Sequence, residues 1–501
     1  MRRWNRPRLG RNRPFSLLIL AGIVLLPCAL AAQPAPPLED FVALVSKDEK
    51  ISAAAAARLA PVWKDNYAAL VIDLARFFRP AAETLSAGGS DDLSGADDNP
   101  SPRGNSGGSR ELLGGGARTP ESVIRGRLMA FLSRRTGKNF GSDLKRWRKW
   151  SWTLPDDPHP DYAAFKGRLY ANVDARMAAF FSAPTKPRIR LDEIDWGGVS
   201  VNGIPPLDQP RTVAAAAAPF MGEKNVVFGL VVNGQARAYP KRILAWHEMA
   251  LDILGGVKLA VVYCTLCGTV IPYETEAGGR AFTFGTSGLL YRSNKLMFDA
   301  ETNSLWSTLE GRPVVGPLAG SSIVLKFRPV VTTTWKEWRT AHPETTVLSL
   351  DTGYQRDYGE GVAYRSYFSH DEVMFEVPEQ DSRLKRKAEV VTFLAGDDPS
   401  RLPVALDTAF LKKNPVHLFS AAGANYVALT TEGGANRIYR AGAIRFVSLS
   451  GDDALDDRGQ SWKVREDQLV GPGGETRPRE PARRTFWFAW FAQFPQTMLV
   501  K

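Results

Sequence analysis

The sequence predicts an α+β protein in which a small helical N-terminal domain precedes a larger β-rich domain. Before about residue 186, apolar side chains recur at the three- and four-residue spacing of amphipathic helices. After it, short β-branched and aromatic runs alternate with Gly, Pro and Asn, which is the pattern of strands joined by tight turns. A pattern that occurs twice within the β-rich part predicts an internal duplication.

The first residues have the layout of a secretory signal peptide. A basic stretch, MRRWNRPRLGRNRP, precedes the apolar run FSLLILAGIVLL and a small-residue exit at Ala29-Leu30-Ala31. The apolar run is shorter than the roughly 18 residues that indicate a membrane span. Residues 1–32, with Cys28, are therefore predicted to be removed, which leaves a periplasmic or secreted protein without a membrane span. An uncleaved membrane anchor is the alternative.

Charge and cysteine content restrict the function classes. Without the six arginines of the signal peptide, 58 of the 64 basic residues remain against 53 acidic ones. This mild excess, with no basic stripe interleaved with aromatic residues, gives no reason to expect a nucleic-acid partner. Only Cys264 and Cys267 survive maturation, so the protein is no disulfide scaffold and its core must come from packing.

The N-terminal domain is predicted to consist of two helical segments, residues 36–85 and 119–185. Between them, residues 86–118 are rich in Gly, Ser, Asp and Pro, which indicates a flexible low-complexity linker. Thr119-Pro120-Glu121 has the capping residue and early proline of a helix start. Packing explains the aromatic residues of these helices. The predicted apolar faces are Tyr67, Leu70, Val71, Leu74, Phe77 and Phe78; Ile124, Leu128, Phe131 and Leu132; and Tyr162, Phe165, Leu169, Val173, Met177 and Phe180.

The β-rich domain is predicted to span residues 186–501. NVVFGLVVNGQARAY is typical of a hairpin that turns at Asn233-Gly234. KLAVVY and TVIPYE are predicted strands on either side of a C-x-x-C pair. The Gly-rich stretch FGTSG (284–288) lacks the lysine and spacing of a phosphate-binding loop, so we expect a turn there and no nucleotide cofactor.

The duplication is predicted to relate residues of about 225–345 to residues of about 388–497. Both copies carry a W-x-x-W pair followed at the same offset by an aromatic ring, proline and threonine. The second copy has no cysteine and no equivalent of His247-Glu248, so the first copy is predicted to carry the site and the second to be structural. The matched positions are Trp335, Trp338, His342 and Thr345 with Trp487, Trp490, Phe494 and Thr497; Trp306 with Trp462; Val315-Gly316-Pro317 with Val470-Gly471-Pro472; and Tyr291 and Phe298 with Tyr439 and Phe446.

The pair in VVYCTLCGTV permits three interpretations. In a redox pair, Cys264 would attack and Cys267 resolve, but the β-branched residues and Pro272 that follow predict a strand instead of the activating helix of thioredoxin-type pairs. In a metal-binding knuckle, Gly268 would permit the tight turn and the two thiolates would supply half a tetrahedral site. A plain disulfide would close a very short loop and constrain the unfolded chain little.

A metal site would need further ligands. The candidates are His247, Glu248 and Met297, with His342 and His370 more distant along the chain. Thiolate with imidazole and thioether favours copper, whereas thiolate with imidazole and carboxylate favours zinc. A lone His-Glu pair is more often a hydrogen-bonded core pair, and neighbouring helical residues do not share a face.

Several stretches resemble the bacterial and archaeal domain-of-unknown-function 3179 family. They are AYPKRILAWHEMALDILGGVKLAVVYCTLCGTVIPYE, FGTSGLLYRSNKLMFDAETNSLWS, VVGPLAG and the terminal FWFAWFAQFPQT. The resemblance spans 186–501, and TGKNFGSDLKRWRKW is similar to a helical extension of some members. It implies no activity, substrate or cofactor, but it groups His247, Glu248, Cys264 and Cys267 as one constellation. Thr265 stands where proline is common in the family.

Three functions follow as hypotheses, and the sequence does not decide whether the protein is an enzyme. In the first, an exported protein binds copper or zinc through Cys264, Cys267 and His247. In the second, it is a thiol–disulfide oxidoreductase. In the third, the cysteines form a structural clamp in a module that binds a protein partner in the cell envelope.

Overall fold

The computed structural model describes residues 34–78, 120–397 and 401–501. The predicted signal peptide and the predicted linker at 86–118 lie outside the described residues. Among the described helices, none is long and apolar enough to cross a membrane. The helices of the N-terminal region are α1 (Leu38–Ala43), α2 (Glu49–Leu59), α3 (Ala68–Phe77), α4 (Pro120–Thr136), α5 (Leu144–Ser151) and α6 (Tyr162–Ala171).

Carboxylate caps mark the start of two of these helices, α2 and α5. Asp48 accepts a hydrogen bond from the backbone N–H of Lys50 at the start of α2. The long helix predicted through Phe180 is wrong in its second half, because α6 ends at Ala171 and a separate 3-10 helix follows over Ala175–Phe181. Asp174 causes the break: its backbone is extended and its side chain caps the new turn through the N–H of Arg176.

The rest of the chain is β-rich, so the α+β class and the order of its parts are confirmed. Its strands form six sheets of three to five strands in a propeller-like arrangement, and β9 and β10 form a two-stranded ribbon. The strands are β1 (Ile194–Trp196), β2 (Leu207–Asp208), β3 (Thr212–Ala214), β4 (Val226–Val232), β5 (Gln235–Pro240), β6 (Met249–Leu254), β7 (Val257–Cys264), β8 (Thr269–Glu274), β9 (Glu276–Ala277), β10 (Arg280–Ala281), β11 (Phe284–Tyr291), β12 (Asn294–Asp299), β13 (Leu305–Ser307), β14 (Arg312–Val315), β15 (Val331–Thr334), β16 (Thr346–Leu348), β17 (Glu389–Ala395), β18 (Leu402–Asp407), β19 (Val416–Ala421), β20 (Ala424–Thr430), β21 (Asn436–Arg440), β22 (Phe446–Ser450), β23 (Asp453–Asp456), β24 (Ser461–Val464), β25 (Gln468–Val470), β26 (Thr476–Pro478), β27 (Arg483–Phe486) and β28 (Met498–Val500).

Short helices separate some of these strands. They are α7 (Lys241–His247), α8 (Trp335–Ala341), α9 (Arg365–Phe368), α10 (Thr408–Lys413) and α11 (Trp487–Gln493). The predicted hairpin at Asn233-Gly234 is confirmed as β4–β5, with both turn residues at positive φ. The predicted turn at 284–288 is wrong, since these residues begin β11. Position 285 requires glycine, because a Cβ at this position would lie 2.5 Å from the Phe298 ring on the neighbouring strand.

Two of the sheets share one strand order. The β4–β5 hairpin has β15 antiparallel beside β4 and β16 parallel beside β5. The β17–β18 hairpin likewise has β27 antiparallel beside β17 and β28 parallel beside β18. The helices α8 and α11 follow β15 and β27, and each begins with the first tryptophan of a W-x-x-W pair.

The tryptophans make matching contacts in both halves. The ring of His342 lies 4.1 Å from that of Trp338, and the ring of Phe494 lies 4.4 Å from that of Trp490. The predicted match of Phe298 with Phe446 is wrong. Phe446 packs on Trp462, and the ring that packs on the matching Trp306 is that of Phe284.

Buried ion pairs hold the helical region against the β-rich region. Asp195 of β1 accepts hydrogen bonds from the guanidinium groups of Arg76 and Arg148, and none of the three side chains is exposed by more than 13%. Nearby, Asp73 of α3 accepts from Lys166 at 2.9 Å and from the Tyr162 hydroxyl at 2.6 Å. Because β1 pairs with β11, the helical region is bound to the sheet that borders the candidate site.

We expect Asp195→Asn to lower the free energy of unfolding by about 3–5 kcal/mol, because the change leaves buried guanidinium charge uncompensated. Urea unfolding would measure it. The control is Glu223→Gln, which breaks the exposed ion pair with Lys336 and should cost less than about 1 kcal/mol. Equal effects of the two changes would contradict the prediction.

Candidate functional site

The C-x-x-C pair forms the turn of the β7–β8 hairpin. Cys264 and Cys267 are joined by a disulfide, with their Cα atoms 5.3 Å apart. Both residues are buried, at 2% and 0% exposure. A strand follows Cys267 as predicted, and Gly268 has the positive φ that the tight turn needs.

The backbone of this turn is fixed by residues far along the chain. The carbonyl oxygen of Cys267 accepts hydrogen bonds from the backbone N–H of Phe486 at 2.8 Å and from the Thr485 hydroxyl at 3.0 Å. The carbonyl oxygen of Leu266 accepts from the Tyr367 hydroxyl at 2.8 Å. The turn that carries the disulfide therefore exists only in the assembled β-rich region.

The two-residue turn between β11 and β12 lies beside the disulfide. Arg292 and Ser293 both have left-handed backbone conformations. The Arg292 guanidinium donates to the Ala492 carbonyl oxygen at 2.7 Å and forms an ion pair with Glu193. These contacts fix the turn so that the Ser293 carbonyl oxygen lies 3.5 Å from the Cys267 sulfur.

Glu248 lies between α7 and β6 and contributes a buried carboxylate to the site. Its left-handed backbone ends α7, and its carbonyl oxygen accepts from the N–H of Tyr263, the residue before Cys264, at 2.8 Å. Its carboxylate accepts from the Lys295 ammonium at 2.9 Å and from the Tyr364 hydroxyl at 3.3 Å. Burial lowers the pKa of Lys295, while the Glu248 charge opposes this; burial and then the same charge raise the pKa of Tyr364.

His247 has both ring nitrogens occupied. Nδ1 lies 2.9 Å from the Pro205 carbonyl oxygen, which can only accept, so Nδ1 carries the proton. Nε2 therefore accepts from the Tyr358 hydroxyl at 2.6 Å. Burial lowers the pKa of His247 to about 4, so the ring is neutral at pH 7. His247 is thus hydrogen-bonded in the core, as buried histidines commonly are, but its partners are Pro205 and Tyr358, whereas the Glu248 carboxylate bonds Lys295 and Tyr364.

Residues 349–388, here the tyrosine segment, cover the site with little regular structure apart from α9. Three of its tyrosines each contact one member of the constellation: Tyr358 contacts His247, Tyr364 contacts Glu248 and Tyr367 contacts the cysteine turn. Glu376 of the same segment pairs with Lys145 and Lys149 of α5, at 3.3 and 3.1 Å.

The remaining predicted metal ligands lie elsewhere. Met297 is fully buried in an aromatic core with Phe284 and Trp306, separate from the core cluster that contains the cysteines. His342 packs on Trp338 with Nε2 3.6 Å from Glu466, and His370 is exposed. Within the described ranges, no three His, Cys, Asp or Glu side chains are grouped so that they could hold a metal ion. The copper or zinc site stays a prediction.

Sequence reasoning missed the residues that surround the constellation. Lys295 gave no signal, because a lysine within a strand usually reaches solvent. Ser293 was hidden in the turn. The aromatic run GVAYRSYFSH, which contains Tyr364 and Tyr367, was a usable signal, since so many rings in an otherwise irregular segment indicate that it packs on something.

Gly268→Ala should destabilise the protein more than Gly279→Ala does. Both glycines have positive φ, but a Cβ at Gly268 would lie 2.9 Å from the Phe486 ring, whereas nothing lies within 4 Å of one at Gly279. The difference, expected to be about 1–3 kcal/mol by urea unfolding, isolates the contact with Phe486. Equal losses would show that the turn does not depend on it.

The low pKa of His247 predicts a loss of stability in acid. Unfolding returns the pKa from about 4 to its ordinary value of 6.5, so the unfolded chain binds more protons between these values. The free energy of unfolding should therefore fall by up to about 3 kcal/mol as the pH drops from about 6.5 to about 4. His247→Asn, which can still donate to Pro205, should remove this part of the pH profile; parallel profiles would contradict the assignment.

Comparison with known proteins gives one match. No curated protein and no solved structure is significantly similar to the chain. The family described as "Protein of unknown function (DUF3179)" matches residues 201–497, which include His247, Glu248 and both cysteines. Because the match covers more than half of the sequence, the chain belongs to the DUF3179 family.

Proposed function

We propose that the protein is an exported thiol–disulfide oxidoreductase whose redox centre is the Cys264–Cys267 pair. The observation that carries the proposal is a buried disulfide on a fixed turn, linked through the Tyr263 N–H to Glu248 of a buried Glu248–Lys295 ion pair. A buried ion pair costs desolvation and is weak evidence of a purely structural role. Together the two features are typical of a site built for electron and proton transfer.

The reaction is an exchange with an external dithiol. The external thiolate attacks one sulfur of the disulfide, and the mixed disulfide is then resolved by the second external thiol. The S–S bond of Cys264–Cys267 breaks, the external S–S bond forms, and two electrons and two protons pass to the cysteines. We assign the mixed disulfide with the partner to Cys264, the residue with 2% exposure against 0% for Cys267. Cys267 is then the leaving thiol, and in the reverse direction it resolves the mixed disulfide.

A structural clamp explains the disulfide less well. The cysteines are only three positions apart in the sequence, so their bond restricts the unfolded chain far less than a bond across a long loop. The turn between β20 and β21 shows how a similar turn is held without sulfur. There, the Glu337 carboxylate accepts from the N–H of Gly433 at 2.7 Å and from the Thr431 hydroxyl at 2.6 Å.

The same comparison supports the duplication predicted from the sequence, which we retain as part of the proposal. The hydroxyl of Thr333, two residues before the first tryptophan of α8, donates to the Glu337 carboxylate at 2.8 Å and lies 3.4 Å from the Gly433 carbonyl oxygen. Thr485, two residues before the first tryptophan of α11, donates to the Cys267 carbonyl oxygen. Each half thus places a threonine hydroxyl against a carbonyl oxygen in a turn of the other half. Of these two turns, only the one in the first half contains cysteines.

A reduction potential of the purified full chain tests the function. We expect equilibration with dithiol buffers to place it between about −270 and about −120 mV, the range of catalytic pairs, and Cys267→Ser to trap a mixed disulfide with a partner at Cys264. The Cys264→Ser, Cys267→Ser double variant is the control. A potential below about −300 mV would identify a structural clamp. Stoichiometric copper or zinc on the reduced protein, lost in the double variant, would favour the metal site instead.

A further inference from the structure

Buried hydroxyl groups without a hydrogen-bond partner concentrate around the disulfide. Within the described chain, five side-chain hydroxyls are buried and unpartnered. Four of them belong to residues in or beside the cysteine turn or to Ser293, whose carbonyl oxygen faces Cys267; the fifth is on Tyr426, in a different core cluster. The four near the disulfide are Tyr263, Thr265, Thr269 and Ser293.

This concentration requires an explanation, because buried polar groups in folded proteins are almost always paired. Leaving a buried hydroxyl unpaired loses its bonds to water without replacement. By contrast, main-chain carbonyl oxygens of the same turn do have partners. Those of Leu266 and Cys267 accept hydrogen bonds from residues far along the chain. The carbonyl oxygens of Leu266 and Cys267 are thus satisfied, whereas the hydroxyls of Tyr263, Thr265 and Thr269 in and beside the same turn are not.

Thr269 is the best placed of the four. It lies directly opposite Cys264 in the antiparallel β7–β8 pairing. Side chains directly opposite each other in such a pair project from the same face, with Cβ atoms about 4.5–5.5 Å apart. The Thr269 side chain is fully buried on the same face of the hairpin as the Cys264 side chain.

We infer that Thr269 is a catalytic residue of the redox reaction, whose hydroxyl donates a hydrogen bond to the Cys264 thiolate in the reduced state. In the disulfide, the Cys264 sulfur carries no charge and is a poor acceptor. Breaking the S–S bond lets the two sulfurs separate and turns Cys264 into a strong, charged acceptor. The hydroxyl that lacks a partner in the oxidised form then gains one.

The second sulfur faces a different environment. The Ser293 carbonyl oxygen, 3.5 Å from the Cys267 sulfur, can accept a hydrogen bond from a thiol but repels a thiolate. Cys267 is thereby kept as the protonated thiol, and Cys264 takes the negative charge. The charged groups around the turn are paired with one another: Glu248 with Lys295, Arg292 with Glu193, and Glu389, which acts on Tyr263, with Arg484. This inference rests on the proposed function, because it assigns a donor within the same site.

The test is the thiol pKa of the chemically reduced full chain, measured from thiolate absorbance against pH, together with the reduction potential. Thr269→Val should raise the Cys264 thiol pKa by about one unit and shift the equilibrium tenfold towards the disulfide, which is about 30 mV in potential. Thr269→Ser should retain the native values. Thr269→Ala deletes the same hydroxyl without the added methyl group of valine and should agree with Thr269→Val.

Tyr426→Phe is the matched control, since it removes a buried, unpartnered hydroxyl remote from the cysteines and should leave both values unchanged. Unchanged values in Thr269→Val and Thr269→Ala would overturn the inference even if the wild-type protein turns over dithiols. A raised pKa with serine rescue would support it even if the wild-type protein shows no turnover, because the pKa is measured without a partner. The two proposals therefore fail separately.

Discussion

The hydrogen bonds from Thr485 and Phe486 to the Cys267 carbonyl oxygen are the contacts on which the candidate site depends. They join the C-terminal β27 to a turn more than two hundred residues earlier. Gly268 is required beside them, because any Cβ there would contact the Phe486 ring. The β11–β12 turn then closes on the same place, since Arg292 donates to a carbonyl oxygen of α11. The disulfide is thus positioned by the end of the chain, and the site forms only when both halves of the β-rich region have folded together.

Two turns of the β-rich region are fixed in different ways. In the β20–β21 turn, a carboxylate from α8 satisfies the N–H of Gly433 and the Thr431 hydroxyl. Glu337 is the third residue of α8, whereas the third residue of α11, Ala489, has no acceptor side chain. The cysteine turn is instead held by backbone and hydroxyl donors acting on its carbonyl oxygens. Its backbone is therefore fixed without polar contacts from the Thr265 and Thr269 side chains.

The sequence predicted what depends on local pattern. Alternating apolar and polar residues, together with turn residues, predicted the strands on either side of Asn233-Gly234 and of the Cys264–Cys267 pair. Helical spacing of apolar residues predicted that a helical region precedes the β-rich one. It could not predict the neighbours of the site, since Lys295 and Tyr364 reach Glu248 through pairings across 47 and 116 residues. The incorrect match of Phe298 with Phe446 has the same cause. Spacing along the chain does not show that the ring packed on Trp306 is that of Phe284, which comes from β11.

The tyrosine segment is held in a way that differs from the rest of the site. Its contacts with His247, Glu248 and Leu266 are single hydroxyl hydrogen bonds, each worth roughly 0.5–1.5 kcal/mol net for a neutral pair and more for a carboxylate. The pairs of Glu376 with Lys145 and Lys149 add little, because both lysine side chains are largely exposed. By contrast, the cysteine turn belongs to a continuous β-ladder. Tyr358, Tyr364, Tyr367 and Val377 are also buried in the apolar cluster that contains both cysteines, so packing as well as these hydrogen bonds keeps the segment over the turn.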